Sequence, residues 1–254
     1  MTHKEFAIGL AHESGKIMLA AFRSDSNTKT YKEDETPVTV ADQEINDLVR
    51  TRIAGAYPDH GFLGEEGGAP DGQEYVWVCD PIDGTRSFAR GVPVSVFSLA
   101  LVQDGVPVLG VVYQPFVDDL YVAESEKGAT CNGQKIFVSE RAEIDTRSVI
   151  AAAAHKKTAP YPTDNIVRLC ADKGASIYNY GSATYNAVLV ARGSAEATVF
   201  PYSNAWDMAA AKVIIEESGG HTSSVGGKRQ RYDGKIAGFI GSNKLVHEKL
   251  LHFR

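Results

Sequence analysis

The stretch WVCDPIDGTRSF, residues 77–88, constrains this chain more than any other part of its sequence. An apolar strand runs directly into two carboxylates, Asp80 and Asp83, which flank a proline and precede a glycine. A strand interior offers ionised carboxylates no partner, whereas a turn held by proline and glycine can bring both of them, with the Ile82 carbonyl, to one hard cation. The sequence therefore predicts a divalent-cation site, typical of Mg²⁺, at the carboxyl end of this strand.

The residues after the turn favour an anion. Gly84 has no side chain to obstruct a ligand, and Thr85 and Arg86 are predicted to begin a short helical turn with outward N–H groups. Helix starts of this kind bind phosphate. A cation site beside an anion site indicates chemistry on a phosphate ester, because metal ions polarise phosphoryl oxygens and make water nucleophilic near neutral pH.

The composition limits the classes of partner. The 254 residues are 43% hydrophobic, enough for a sizeable core, and carry a formal net charge of −6 without a basic stripe, so nucleic acid polymers are not expected partners. Three widely spaced cysteines without a C-x-x-C pair predict neither a disulfide framework nor a zinc site, and they favour a reducing cytoplasm. The first 22 residues mix charged and apolar side chains at helical spacing, which predicts an amphipathic helix and neither a signal peptide nor a membrane span.

The order of predicted elements favours a layered fold. From Tyr75 onward, apolar or alternating runs separated by turns predict an antiparallel meander after the first strand, and from residue 147 strands alternate with helices. No linker interrupts the chain. We therefore predict one domain over residues 1–254, built from two closely packed subdomains, residues 1–145 and 146–254.

Three further carboxylates stand at the ends of predicted elements. Asp42 can cap a second helix, Glu65 lies in a glycine-bounded loop, and Asp207 lies near the start of a helix in NAWDMAAA. Each also has an ordinary explanation: a helix cap or helix-start residue for Asp42 and Asp207, and a solvated loop acid for Glu65. The pair Asp80 and Asp83 has no such ordinary explanation.

Four motifs together resemble the inositol monophosphatase family of Mg²⁺-dependent, lithium-sensitive phosphatases. In chain order they are TPVTVAD at 36–42, GEE at 64–66, DPIDGT at 80–85 and WDMAAA at 206–211. They span almost the whole chain in the family's order. The resemblance implies an α+β fold, the family's layered α/β/α/β/α sandwich, and a phosphoric monoester hydrolase.

The resemblance also implies a ligand set for two to three Mg²⁺ ions. The first ion would be held by Glu65, Asp80 and the Ile82 carbonyl. The second would be held by Asp80, Asp83 and Asp207, so that Asp80 bridges the two ions. A third, weaker ion would use Glu65 together with waters.

The same resemblance assigns the residues of catalysis. Thr85 and Asp42 would form the hydrogen-bonded pair that orients the attacking water, and with Glu65 they are the expected catalytic residues. The N–H groups of Gly84 and Thr85 would bind the phosphate. Lys32 matches a loop lysine near the metal site.

The mechanism that the resemblance implies is direct displacement, in which a metal-activated water attacks phosphorus in line and no phosphoenzyme forms. The residue inventory agrees, because the motifs offer no well-placed cysteine or histidine nucleophile. The chain has seven histidines, and none pairs with another at metal-ligand spacing. We expect them to be surface or structural residues.

The substrate end departs from the family pattern. Members that act on inositol phosphate have a glutamate seven residues before the aspartate of the WD motif, and here that position is Phe200. By resemblance, Asp83, Ala183 and Phe200 would contact the substrate, while residues 202–204 offer other polar groups nearby. A structurally neutral Phe200 that only caps the core is the alternative.

Several functions therefore stay open. The general prediction is a phosphatase for a small phosphorylated polyol, sugar or amino alcohol. Arg86 and the segment RSFARGVP also resemble the histidinol-phosphate phosphatases of this family, and related enzymes cleave fructose 1,6-bisphosphate. A 3′-phosphoadenosine 5′-phosphate substrate is less favoured, because those relatives read DPLDGTKEF here. A non-catalytic module that binds metal or a phosphometabolite is the alternative from another class. The expected partners are a small phosphate ester and, as in the family, a second copy of the chain, with no membrane.

Overall fold

The computed structural model describes residues 1–24, 29–31, 37–68, 70, 72–152 and 163–251. The helices in this part of the chain are α1 His3–Ala21, α2 Val40–Ala56, α3 Thr85–Phe88, α4 Thr163–Lys173, α5 Ala183–Ala191, α6 Ala205–Glu217 and α7 His247–Leu251. The strands are β1 Lys29–Tyr31, β2 Pro37–Thr39, β3 Gly61–Gly64, β4 Tyr75–Asp83, β5 Val96–Gln103, β6 Val106–Gln114, β7 Asp119–Glu124, β8 Gly128–Cys131, β9 Gln134–Lys135, β10 Val149–Ala152, β11 Ser176–Tyr178, β12 Ala197–Phe200, β13 His221–Ser223 and β14 Phe239–Ser242. No helix in these ranges is both long and apolar enough to cross a bilayer.

The larger sheet has seven strands in the order β3-β4-β5-β6-β7-β8-β9. Only β3 and β4 are parallel to each other, and every later pair is antiparallel, which confirms the predicted meander. Successive side chains of a strand point to opposite faces. Val76 and Val78 of β4 therefore enter the core on one face, and Trp77 and Cys79 enter the core on the other. An apolar strand such as β4 is explained by burial on both of its faces.

The smaller sheet has five strands in the order β11-β10-β12-β14-β13. The first three strands in this order are parallel, and β14 is antiparallel to both of its neighbours. The strand–helix alternation predicted from residue 147 is thus correct, but the sheet is mixed. The sequence reading did not include β13, since His-Thr-Ser has no apolar residue, nor the short β1–β2 hairpin.

Three hydrophobic clusters hold five layers together. Helices α1 and α2 cover one face of the larger sheet, α5 and α6 lie between the two sheets, and α4 and α7 cover the outer face of the smaller sheet. Contact between α6 and the larger sheet is very close at Gly110, where a Cβ atom would lie 2.5 Å from the Ala210 carbonyl oxygen. The layered α/β/α/β/α arrangement that the family resemblance implied is confirmed.

The end of β4 differs from the prediction. The sequence pattern predicted that the apolar strand ends at Cys79 and that the chain turns from Pro81 onward. The strand continues to Asp83, and its register against β5 shifts between Asp80 and Asp83. Proline has no N–H to give to a sheet, so a local irregularity accommodates it without ending the strand. The chain turns only at Gly84, whose φ is 89°.

Candidate active site

A cavity of 210 Å³ opens at the carboxyl end of β4. Its walls come from both halves of the chain, because the β3–β4 region, α3, the start of α5 and the start of α6 all reach it. The lining residues are Glu65, Asp80, Asp83, Gly84, Thr85, Arg86, Gly181 and Asp207. Five of the residues predicted to act in metal binding or catalysis are therefore brought together here, and Asp42 lies directly behind Thr85.

Asp42 and Asp207 occupy equivalent positions in two different helices. Each is the third residue of its helix and closes a capping box with the residue before the helix, Thr39 for α2 and Asn204 for α6. The Thr39 and Asn204 backbone N–H groups donate to the Oδ2 atoms of Asp42 and Asp207, at 2.8 and 2.6 Å. Asp42 therefore lies in the first turn of the helix, as one of its two predicted positions, but Thr39 rather than Asp42 is the N-cap. In both residues the cap occupies Oδ2, which points Oδ1 of Asp42 to Thr85 at 3.3 Å.

Asp83 is held from a distant part of the sequence. Its Oδ2 accepts a hydrogen bond from the Ser182 hydroxyl and another from the Thr184 N–H, each at 2.6 Å. Ser182 is also the N-cap of α5, and the Thr184 hydroxyl donates to the Asp207 carbonyl oxygen at 2.6 Å. The start of α5 therefore fixes a carboxylate of β4 and the first turn of α6 at the same time.

Asp80 lies deepest in the site. It is 1% exposed, and its Oδ1 accepts the Ile82 N–H at 3.0 Å. Burial raises the pKa of Asp80 well above its usual value, and the neighbouring charges of Glu65 and Asp83 raise it further. Burial also raises the pKa of Asp207, with Asp83 adding to the effect.

Hydrogen bonds oppose the effect of burial at the other two acids. Burial raises the pKa of Asp83, while hydrogen bonds from Ser182 and Thr184 lower it. Burial raises the pKa of Asp42 to about 7, against hydrogen bonds from Thr39. Carboxylates crowded in this way favour a cation that would neutralise them.

The carboxylate oxygens of the site are the kind of ligands that the metal predicted from the sequence requires. One carboxylate oxygen from each of Asp80, Asp83 and Asp207 lies within 4.8 Å of the others. Oxygen-only donors of this kind suit a hard cation such as Mg²⁺, and among the described residues no cysteine or histidine lines this cavity. The residues therefore fit the predicted ion.

Glu65 and Ile82, the other predicted ligands, take different positions. Glu65 lines the cavity, and its charge acts on Asp42, Asp80 and Asp207. The carbonyl oxygen of Ile82 lies 3.0 Å from the Thr85 hydroxyl, whose one proton can be donated either to this oxygen or to Asp42 Oδ1. Its second lone pair is the one that a cation would use.

The turn after the acids is built for close approach. A Cβ atom on Gly84 would lie 2.8 Å from the Gly181 carbonyl oxygen, and the positive φ at this position also favours glycine. Gly84 caps α3, whose first N–H groups at Thr85 and Arg86 have no acceptor within the helix. Arg86 is exposed at the edge of the cavity.

The predicted substrate residues separate into two groups. Asp83 lines the cavity, and the Ala183 backbone N–H also hydrogen-bonds Asp83. Phe200 does not line this cavity: it is 6% exposed and packs in the core beside Phe239 of β14. Its position favours the structural alternative. Lys32, predicted near the metal site, lies outside the described residues.

Four residues support the acids in a way that was not predicted from the sequence: Thr39, Ser182, Thr184 and Asn204. A local signal existed for two of them, because T-x-x-D at residues 39–42 and N-x-x-D at residues 204–207 are capping-box patterns. The contacts of Ser182 and Thr184 with Asp83 had no local signal, since 99 and 101 residues separate them.

The family model "Inositol monophosphatase family" matches residues 2–253. A histidinol-phosphatase from Chlorobaculum parvum is 36% identical over 248 residues, covering 97% of this chain and 94% of that protein. Inositol monophosphatase 1 from Bos taurus is 32% identical over 256 residues, covering 97% and 91%. Among solved structures, the Thermotoga maritima IMPase matches with a TM-score of 0.88 and 31% identity, covering 100% of this chain and 96% of that one.

Proposed function

Because this chain belongs to the inositol monophosphatase family and is a phosphoric monoester hydrolase, we propose that it is a Mg²⁺-dependent phosphatase of a small phosphorylated polyol or sugar. The observation that carries the proposal is the acid group of Asp80, Asp83 and Asp207, of which the first two are buried and the third is half-buried, with carboxylate oxygens within 4.8 Å of one another. Glu65 and the Ile82 carbonyl would complete the ligand set. Bound Mg²⁺ supplies charge neutralisation at the phosphoryl oxygens and lowers the pKa of a coordinated water.

We assign the handling of the attacking water to Thr85 and Asp42. If the Thr85 hydroxyl donates to Asp42 Oδ1, which lies 3.3 Å away, its lone pairs can accept a hydrogen bond from water. A pKa of about 7 makes Asp42 a suitable proton acceptor near neutral pH. The N–H groups of Gly84 and Thr85 at the start of α3 would orient the phosphate.

Phosphate release against a panel of substrates tests this proposal. The purified protein with Mg²⁺ would be given inositol 1-phosphate, histidinol phosphate, fructose 1,6-bisphosphate, 3′-phosphoadenosine 5′-phosphate and glycerol 2-phosphate. We expect release from at least one substrate and loss of that release with EDTA. No release from any, with Mg²⁺ still raising the melting temperature, would favour the non-catalytic binding module.

Histidinol phosphate is the second candidate substrate. The relative from Chlorobaculum parvum is named a histidinol-phosphatase, and Phe200, which stands where inositol-specific relatives have glutamate, is buried in the core. A family member without that glutamate has lost one group that reads ring hydroxyls. Fructose 1,6-bisphosphatase activity stays open as well, because exposed Arg86 at the cavity edge could bind a second anionic group.

We also propose that the chain forms a homodimer. The edge strand β11 and the loop after it carry three large exposed side chains, Ile177, Tyr178 and Tyr180, which are 37%, 45% and 40% exposed. Unpaired edge strands with apolar side chains are pairing surfaces. Light scattering of the wild type and of Tyr178→Lys would test it, with a monomeric wild type contradicting the proposal.

The remaining proposals concern organisation and compartment. Subdomain 1–145 contains the larger sheet and subdomain 146–254 the smaller one, but α5 and α6 of the second share a core cluster with the first, which supports one folding unit. The free thiols of Cys79, Cys131 and Cys170 support a reducing compartment such as the cytoplasm.

A further inference from the structure

A second cavity, of 350 Å³, lies at the opposite end of the helix that carries Asp207. Its walls come from the start of β6, the last turns of α6, β13 and the loop that follows β13. Glu216 of this cavity is nine residues beyond Asp207, which places the cavity about 13 Å further along the helix axis. The cavity is therefore separate from the acid group.

The acidic side chain of this cavity is already engaged. The Lys212 ammonium lies 2.9 Å from one oxygen of Glu216, and the Thr222 hydroxyl donates to the other oxygen. Lys212 has a side chain that is only 16% exposed, so this ion pair is partly buried in the wall. Lys212 and Glu216 therefore neutralise each other and add no net charge to the cavity wall.

Arg229 supplies the remaining charge. It lies in GGKRQR, residues 226–231, a basic segment in a chain of net charge −6. Within the described part of the chain, Arg229 has no ion pair or hydrogen bond, although it lines the cavity. Its near neighbour Arg231 is different, because it forms an ion pair with Asp233.

The loop that presents Arg229 is held in place on both sides. The Lys228 N–H donates to the Ser224 hydroxyl, and the Tyr232 N–H donates to the Gly105 carbonyl oxygen. Between them, the Gln230 side chain donates to the Gly238 carbonyl and accepts the Ala237 N–H, each at 2.9 Å. A ligand that met Arg229 would therefore find a preformed contact and would lose little entropy in ordering the loop.

We propose that this cavity binds a small anionic metabolite through a phosphate or carboxylate group, with Arg229 as its charged contact. The volume suits a small molecule, since ligand cavities begin at roughly 300 Å³. An arginine without a partner presents a planar fork of donors that matches both kinds of anion. Inorganic phosphate and citrate represent the two chemistries.

The test is an NMR titration of the ¹⁵N-labelled, metal-free protein with each probe at constant ionic strength. The amides of Gly220, Thr222 and Gln230 report on the cavity, and the amide of Thr85 reports on the acid group. We expect saturable shifts at the first three amides with at least one probe. Arg229→Gln, which replaces the charged donor by a neutral one, should weaken that binding about tenfold or more. The matched control Arg231→Gln removes the same charge two residues away and should leave the affinity unchanged.

Two results would overturn the proposal. One is the absence of saturable shifts at the cavity amides with both probes. The other is an equal loss of affinity in Arg229→Gln and Arg231→Gln, which would show attraction to the basic segment as a whole. Neither result depends on catalysis, so the outcome is independent of the phosphatase activity.

Discussion

The acid group at the end of β4 and the buried histidine of α7 show two ways of placing an ionisable side chain in a core. His247 is 2% exposed and lies between two hydroxyls, with Ser223 Oγ at 2.9 Å from Nε2 and Ser242 Oγ at 2.8 Å from Nδ1. Ser223 donates to the Ser224 carbonyl, so it accepts from the Nε2–H, and Ser242 then donates to Nδ1. The neutral ring is fully satisfied by hydrogen bonds.

Asp80 and Asp83 are also buried and Asp207 is half-buried, but these acids are not satisfied in this way. Asp80, Asp83 and Asp207 crowd one another, and only part of their oxygen atoms accept hydrogen bonds from the fold. Burial favours the neutral form of both kinds of group: it lowers the pKa of His247 to about 4 and raises the pKa of the three acids. Burial by itself therefore does not mark function, whereas several like charges crowded together in one cavity do.

The largest expected effect follows from removing one of the crowded charges. Asp80→Asn should lower phosphate release about a thousandfold, because Asp80 is the proposed bridging ligand and metal ions contribute several kcal/mol to charge stabilisation. The fold should persist, since repulsion within the acid group is reduced. Retained activity above a tenth of the wild type would contradict the bridging assignment. Glu74→Gln, an exposed acid that bonds Gln103, is the matched control.

The pH dependence of stability should distinguish the two regions. The pKa of Asp42 rises from 3.8 to about 7 on folding, so the folded state binds more protons. The metal-free protein should therefore lose stability as pH rises from 4 through 7, on the order of 4 kcal/mol from Asp42 alone. Urea unfolding in EDTA and in saturating Mg²⁺ would measure this. The loss should shrink with Mg²⁺, and identical curves would argue against a cation site.

His247 should act in the opposite direction. Its pKa falls from 6.5 to about 4, so its contribution to stability is present above 6.5 and is lost as pH falls toward 4. This loss, about 3 kcal/mol, should be absent in His247→Phe, so the stabilities of variant and wild type should change differently as pH falls from 6.5 toward 4. His12→Phe, an exposed ring against Tyr113, should leave the curve unchanged. An unaltered acid slope in His247→Phe would refute the assignment.

The hydrogen bond from Ser182 should tune the metal site. Ser182→Ala removes the hydroxyl that donates to Asp83, and loss of such a supporting contact weakens metal binding by roughly 10- to 100-fold. Mg²⁺ titration followed by calorimetry would measure the change, and Ser182→Thr should restore affinity. Ser87→Ala removes a hydroxyl that donates to the Gly181 carbonyl and touches no acid. Equal Mg²⁺ affinities in Ser182→Ala and Ser87→Ala would contradict the proposal that Ser182 supports the metal site.

The smallest effect concerns Phe200, which is buried and satisfied by apolar contacts. Phe200→Leu should cost about 1 kcal/mol of unfolding free energy and leave the order of substrate preference unchanged. Chemical unfolding and the substrate panel would test both parts, with Phe239→Leu as the core control. A changed substrate order in Phe200→Leu alone would return Phe200 to the substrate site.

Much of the site could be predicted because its signals are local. The strand that runs into DPIDGT and the helices that begin beside Asp42 and Asp207 follow from hydrophobic period, turn residues and caps within a few positions. The union of the four acidic motifs in one site was implied by the family resemblance. These short-range preferences also predict the layered arrangement of strands and helices. They do not depend on which distant segment packs against which.

The tertiary structure decided what the local patterns could not. Packing brought Ser182 to Asp83 across 99 residues, turned Phe200 into the core and carried β4 past Pro81 to a turn at Gly84. It also left Arg229 at an open cavity while Arg231 found Asp233. Contacts between distant segments depend on side-chain volume and on the satisfaction of every buried polar group, and a single chain read in order does not contain that geometry.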